Sequence, residues 1–196
     1  MRLGIFGGTF DPIHFGHLRI AETAREALAL DRVMFIPVGA PVHRARPPRA
    51  GREHRYAMCI AATDTHPDFM VSRIETENPE PSYTLDTLQR IHAERPDDHL
   101  HLIIGADEAV AFPTWHEPKG ILALARLAVA TRPGLDRDAL YERLPEWQSE
   151  HMDVLPPLHI GISSTDIRAR FLDGRSVRYL MPDEVRIHIE KYALYG

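Results

Sequence analysis

Residues 7–17 read GGTFDPIHFGH, placing two adjacent glycines, a hydroxyl, a carboxylate and two imidazoles directly after the short apolar run RLGIF at 2–6. That chemistry suits phosphate. Gly7 and Gly8 allow backbone N–H groups to approach an anion closely, and the amino end of a following helix adds partial positive charge, so a di- or triphosphate is favoured there. Thr9 and Phe10 belong to the same loop. The spacing matches neither the GxGxxG fingerprint nor the Walker loop, and no lysine follows the glycines, which argues against a P-loop kinase or ATPase. His14 and His17, three residues apart, can turn both rings toward one bound group. Zinc is the other chemistry open to such a pair, but no nearby Cys or third His completes a ligand set.

The second chemical segment is ISSTDIRARFLDG at 162–174. Ile162 leads into Ser163, Ser164 and Thr165, which read as a helix start, with Ile167, Phe171 and Leu172 as its apolar positions and Gly174 as its stop. The N–H groups and hydroxyls of such a start can grip phosphate oxygens; the same atoms are equally an ordinary cap. Arg168, one turn on, is a cationic donor. Cys59 sits in the apolar stretch AMCIAA and reads as a buried, inert thiol. As the single cysteine it forms no intramolecular disulfide and fits a reducing compartment.

Both segments need a scaffold that presents loops beyond strand ends. A strand at 2–6, a helix within 17–30 carrying Ile20, Ala24, Ala27 and Leu28, and a strand VMFIPV at 33–38 make one βαβ unit with a right-handed crossover. The alternation continues with a helix around 52–63, a strand near 70–74, a helix over 84–93 with Leu85, Leu88 and Ile91 on one face, the strand HLIIGA at 101–106 and a strand in LARLAVAT at 124–131. Pro133, Pro145, Pro156 and Pro157 punctuate 133–160, where little structure is assigned. Val185, Ile189 and Tyr192, after Pro182 and Asp183, predict a closing amphipathic helix over 183–192. The fold class is therefore α/β: a doubly wound, Rossmann-like parallel sheet flanked by helices, with a carboxyl-terminal helical extension and ligands beyond the carboxyl ends of the strands. The expected organisation is one domain, 1–196, with a core over 1–160 and the two last helices over 161–196.

Composition narrows the partners. The 196 residues hold 23 Lys plus Arg against 28 Asp plus Glu, a net charge of −5, and 44% hydrophobic residues. This is an ordinary globular composition with a core of useful size, and it excludes disorder as the main state. Beyond the scattered Arg44, Arg46, Arg49, Arg52 and Arg55 no basic block occurs, so nucleic acid is not an expected partner and any phosphate ligand is small. The longest weakly polar run, ILALARLAVA at 121–130, is too short for a membrane span and carries Arg126, and the N-terminus lacks an apolar signal region. A cytoplasmic protein is expected, and self-association into a homo-oligomer is left open.

GGTFDPIHFGH resembles the T/HxGH signature of the nucleotidyltransferase superfamily, and ISSTDIR resembles its second signature, ISSTxIR. Within that superfamily the chain is similar to the bacterial nicotinate-nucleotide adenylyltransferases through SYTLDTL at 82–88, IIGAD at 103–107, FPTW at 112–115 and YLMPDEV at 179–185. The resemblance spans nearly the whole chain. It departs from the family pattern at Asn78, where an Arg is common, at Glu80, where a small residue is usual, and in VHR at 42–44, which keeps the His and the cation of PHK or PHR without the proline.

The resemblance implies adenylyl transfer from ATP to nicotinate mononucleotide, with Mg²⁺ held by phosphate oxygens and water and no dedicated protein metal site. It assigns catalysis to His14, His17 and Arg168. ATP would also be bound by Gly7, Gly8, Thr9, Phe10, Gly105, Asp107, Arg132, Ile162, Ser163, Ser164 and Thr165. Nicotinate mononucleotide would meet Thr9, Arg44, Tyr83, Thr84, Asp107 and Trp115, with Trp115 stacked on the pyridine ring, backbone N–H groups at 83 and 84 facing its carboxylate, and Arg44 on its phosphate. The residues 44–55 read as a lid or a plain surface loop. Two other readings stay open: an adenylyltransferase for nicotinamide mononucleotide or phosphopantetheine, and a nucleotide-binding module without turnover.

Overall fold

The computed structural model describes residues 1–40, 47–78, 80–131 and 137–196. Among them, strands β1 (Arg2–Gly8), β2 (Arg32–Pro37), β3 (Phe69–Val71), β4 (His99–Gly105), β5 (Ala125–Ala130) and β6 (Met152–Val154) form one sheet in the order β3-β2-β1-β4-β5-β6. The order reverses beside β1, the doubly wound arrangement whose ligands sit beyond the carboxyl ends of the strands at the reversal. β1 pairs parallel with β4, β4 with β5 and β5 with β6. The expected Rossmann-like α/β class is the observed one.

The helices are α1 (Phe15–Ala27), α2 (Arg52–Thr63), α3 (Thr84–Glu94), α4 (Ala106–Ala111), α5 (Pro118–Leu124), α6 (Arg137–Tyr141), α7 (Glu146–Ser149), α8 (Ser164–Leu172) and α9 (Asp183–Tyr192). None of the described helices is long and apolar enough to cross a membrane. The chain divides into two compact units.

The first unit comprises Met1–Gly7, Ile20–Met34 and Tyr83–Ile160. Its strands are buried as continuous runs, Leu3–Phe6, Leu100–Ile104 and Leu127–Ala130, the pattern of a sheet covered on both faces. Registers such as Leu3 with Leu100 and Leu102 with Leu127 stack these apolar side chains in rows. At Gly4 a β-carbon would come within 2.9 Å of Leu30 Cδ1 and 3.1 Å of Ile103 Cδ1, so a larger residue there would make these side-chain ends shift. The α3 face expected from periodicity is buried at Leu85, Leu88 and Ile91.

The second unit comprises Gly8–Arg19, Phe35–Ser82 and Gly161–Gly196. Met58, Ile167, Val185 and Ile189 are among its buried apolar side chains, and Cys59 lies fully buried with its thiol pKa raised by that burial. α8 ends as its sequence predicts. Gly174 takes φ +65° and donates to Phe171 O, while Arg175 N donates to Arg170 O at 2.8 Å, the paired bonds of a Schellman stop.

Three features escape sequence periodicity. β6 is three residues long, too short for any alternation to show, yet it pairs in register with β5 through Leu127 and Met152. The run ILALARLAVA holds the end of α5 and the whole of β5, with the change of element at Ala125 inside continuous apolar sequence. α4, α6 and α7 have four to six residues each, under two turns.

Candidate functional site

The loop leaving β1 is built by close contacts that its sequence dictates. A β-carbon at Gly8 would meet the Phe10 ring at 2.8 Å, and one at Gly16 would meet the His14 ring at 2.9 Å. Phe10 holds a left-handed backbone, φ +47°, a strained conformation for a bulky residue and one that clusters at functional sites. Its buried ring packs edge-on against His17, with centroids 5.0 Å apart, and tilts against Phe35 at 5.8 Å.

His14 and His17 lie together, ring centroids 3.8 Å apart. His14 Nδ1 accepts from Gly16 N at 3.1 Å, and His17 Nδ1 accepts from His14 N at 3.2 Å. An accepting Nδ1 carries no hydrogen, so both neutral rings carry it on Nε2 and act there as donors. Burial lowers the His14 pKa to about 4. His17 is pushed well below its ordinary value by burial and by the neighbouring His14. The pair is thus neutral at pH 7, two Nε2–H donors fixed side by side.

Asp11 is the buried centre of the same unit, with 5% exposure. Its Oδ2 accepts from Arg49 N at 2.9 Å, and its Oδ1 from Ala50 N at 3.0 Å and from Tyr195 Oη at 2.7 Å. Arg168 Nη1 donates to the Asp11 main-chain carbonyl at 2.6 Å and stands 3.9 Å from Oδ2. Arg168 Nη2 donates to Thr165 Oγ1 at 3.3 Å. Arg55, 1% exposed, donates to three carbonyls, of Ala50 at 3.2 Å, Thr9 at 2.9 Å and Gly39 at 3.1 Å.

At the start of α8, Ser163 Oγ accepts from Asp166 N, the ordinary cap. Ser164 Oγ donates to Pro12 O at 2.9 Å, so its hydroxyl joins the two signature segments and is not offered outward. The N–H groups of Ser164 and Thr165 are the first two of the helix, positions without an acceptor inside it. The structure therefore brings Gly8, Thr9, Phe10, His14 and His17 into one unit with Ile162, Ser163, Ser164, Thr165 and Arg168.

Gly7, Gly105, Asp107, Tyr83, Thr84 and Trp115 belong to the first unit. Gly105 precedes α4, and Asp107 is exposed in its first turn. Tyr83 is the cap residue of α3, and its ring lies 4.3 Å from that of His116, the residue after Trp115. Trp115 is half-buried and packs on Phe112 at 5.3 Å. Tyr83 N donates to Asp86 Oδ2 at 3.2 Å, so one of the two amides expected to meet a carboxylate already faces one. Thr84 N, the first of α3, has no acceptor within the helix. In the second unit Asn78, at the place of the common Arg, donates from Nδ2 to Ser82 Oγ at 2.9 Å and accepts from Glu80 N at 3.2 Å, bracing its own loop. Arg44 and Arg132 lie outside the described residues, as do residues 44–46 of the 44–55 stretch.

Asp11, Arg55, Tyr195 and His116 carry no expected role from the sequence alone. Asp11 is inside the first motif, where its carboxylate could have been questioned. Arg55 is one of five scattered arginines, and nothing in the sequence marks it as buried. Among the described residues no group of three or more His, Cys, Asp or Glu stands together to hold a metal ion.

Residues 5–170 match the family model described as cytidylyltransferase-like. A Roseiflexus protein named "Probable nicotinate-nucleotide adenylyltransferase" is 46% identical over 98% of this chain and 97% of its own, and a Thermomicrobium roseum protein of the same name is 43% identical over 99% and 91%. A solved Plasmodium falciparum nicotinic acid mononucleotide adenylyltransferase, in complex with NaAD, superposes with a TM-score of 0.78 over 99% of this chain and 97% of that one. At 16% identity that likeness speaks for the fold alone.

Proposed function

Since the chain belongs to the nicotinate-nucleotide adenylyltransferase family of cytidylyltransferase-like proteins, we propose that it transfers the adenylyl group of ATP to nicotinate mononucleotide, giving nicotinate adenine dinucleotide and pyrophosphate. The bond formed joins a phosphate oxygen of the mononucleotide to the α-phosphorus, and the bond broken is the one from that phosphorus to the bridging oxygen of the β-phosphate. The nucleophile needs no general base, because a phosphate monoester loses its second proton near pH 6 and is already an anion. Catalysis then rests on holding two anions together and on donors aimed at the charge that builds on the leaving group.

The observation that carries this reading is the His14 and His17 pair. Two neutral Nε2–H donors, fixed by their own backbone, sit in one unit with the amino end of α8 and Arg168. Neutral donors suit a polyanion that charges up only in the transition state, and binding it would pull both pKa values upward. Mg²⁺ would arrive with ATP and offset charge on its phosphate oxygens. The donor set fits that role. The loop offers N–H and O–H groups, and its carboxylate, Asp11, already accepts three hydrogen bonds.

The acceptor's acid group would meet Thr84 N–H, and Tyr83 N–H once Asp86 releases it, with Trp115 against the pyridine ring. Arg44 and Arg132 would serve the mononucleotide phosphate and the adenine side. The test is pyrophosphate release from ATP with Mg²⁺, measured with and without nicotinate mononucleotide. Release that requires this acceptor is expected; release without it, or none, refutes the reading.

A further inference from the structure

Asp11 connects two partners through different atoms. Its carboxylate holds the Tyr195 hydroxyl at 2.7 Å, while its main-chain carbonyl holds Arg168 Nη1 at 2.6 Å. A carboxylate this deeply buried must keep all its donors, since losing one leaves charge unpaired in a low-dielectric interior. Tyr195 is itself 3% exposed, its ring 5.9 Å from Phe171. Burial first, and then the hydrogen bond to Asp11, hold the phenol well above its ordinary pKa, so it remains a protonated donor. The two other donors to the carboxylate, Arg49 N and Ala50 N, are backbone groups, leaving Tyr195 as the side-chain hydroxyl in the set.

We propose that Tyr195 is a positioning residue for adenylyl transfer, acting through Asp11 to fix the guanidinium of Arg168. The inference rests on the proposed adenylyl transfer, in which Arg168 faces the triphosphate. Removing the phenol hydroxyl leaves Asp11 Oδ1, among the described residues, with one donor, Ala50 N. The carboxylate then has reason to turn toward the guanidinium 3.9 Å away, and Arg168 exchanges its main-chain acceptor for a side-chain one. A displacement of about 1 Å in a positioned donor is enough to slow a reaction by up to about 10². A merely structural Tyr195 would lower stability and leave Arg168 where it is.

The two roles separate in a double-mutant cycle on kcat, using Tyr195→Phe, Arg168→Ala and the double variant, with melting temperatures recorded for all. Tyr195→Phe should lower kcat about tenfold with both KM values within about twofold. In the Arg168→Ala background the same change should alter kcat less than about twofold, while it lowers the melting temperature as much as in the unmodified background. An unchanged kcat in Tyr195→Phe overturns the proposal. So does an undiminished loss in the double variant. The cycle is run with whichever mononucleotide or pantetheine acceptor the protein uses, so failure of nicotinate mononucleotide alone refutes the acceptor reading and leaves this test standing. Absence of pyrophosphate release with every acceptor overturns both.

Discussion

The loop of residues 8–17 and the residues around Tyr83 and Trp115 are held in opposite ways. In the first, Phe10, Asp11 and His14 are buried, and every polar contact named above ends on a backbone amide, a carbonyl or a buried side chain. In the second, Tyr83 and His116 are exposed, Trp115 is half-buried, and the rings meet one another, Tyr83 on His116 and Trp115 on Phe112. The first region would grip a triphosphate, a ligand shared by all adenylyl transfers, with donors that must not move. The second would read the acceptor with aromatic faces, which tolerate adjustment at low entropic cost. Charge stabilisation asks for rigidity; ring recognition does not.

The comparison breaks first at His17. His17→Ala should lower kcat by about 10²–10³ and leave the ATP KM within a few-fold, because a donor aimed at developing charge acts in the transition state. Steady-state kinetics on the folded variant decides it, and an unchanged kcat would return His17 to a packing role against Phe10.

The next effect is on stability. His14 has a folded pKa of about 4 against an ordinary 6.5, so between those values the unfolded chain binds more protons and stability falls as pH falls. The contribution is complete above about pH 6.5 and is lost toward pH 4. Urea unfolding at pH 7 and pH 4.5 should show the unmodified protein losing about 2–3 kcal/mol more than His14→Asn, whose amide does not titrate. Equal losses would mean that His14 titrates normally.

On the aromatic side, smaller and less selective losses are expected. Trp115→Ala should reduce kcat/KM by about tenfold for acid and amide acceptors alike, since stacking does not distinguish them, with the ATP KM unchanged. A loss confined to one acceptor would give Trp115 a polar role. The smallest effect belongs to Asn78→Arg. Asn78 braces Ser82 and Glu80 within its own loop, so the acid-to-amide preference should stay within about twofold, a ratio that parallel kinetics with the two acceptors would measure.

Much of this was legible in the sequence because the information was local. RLGIF, VMFIPV and HLIIGA are short apolar runs bounded by turns, and α2, α3 and α9 follow helical periodicity to within a residue or two of their observed ends. Gly174 announced the end of α8, and the glycines of the first motif announced a loop that backbone and ring must share. What stayed hidden depends on distant pairing. β6 exists because β5 offers it a partner, and α5 passes into β5 with no polar break between them. Arg55 and Tyr195 bind groups 46 and 184 positions away in sequence, on Thr9 and Asp11. No spacing rule reaches that far. The Ser164 hydroxyl is the converse case, a group whose motif suggested a ligand contact and which instead joins α8 to Pro12.

The protein is expected to transfer the adenylyl group to an acid rather than an amide. If the carboxylate is met by a backbone N–H at Thr84, an amide in its place loses a charge-assisted bond and sets an NH₂ against a donor, each costing roughly 1–3 kcal/mol. The direct measurement is kcat/KM for nicotinate mononucleotide divided by that for nicotinamide mononucleotide, in one pyrophosphate-release assay at saturating ATP and Mg²⁺. A ratio of about 10²–10⁴ is expected. A ratio near one would contradict the assignment of the acceptor.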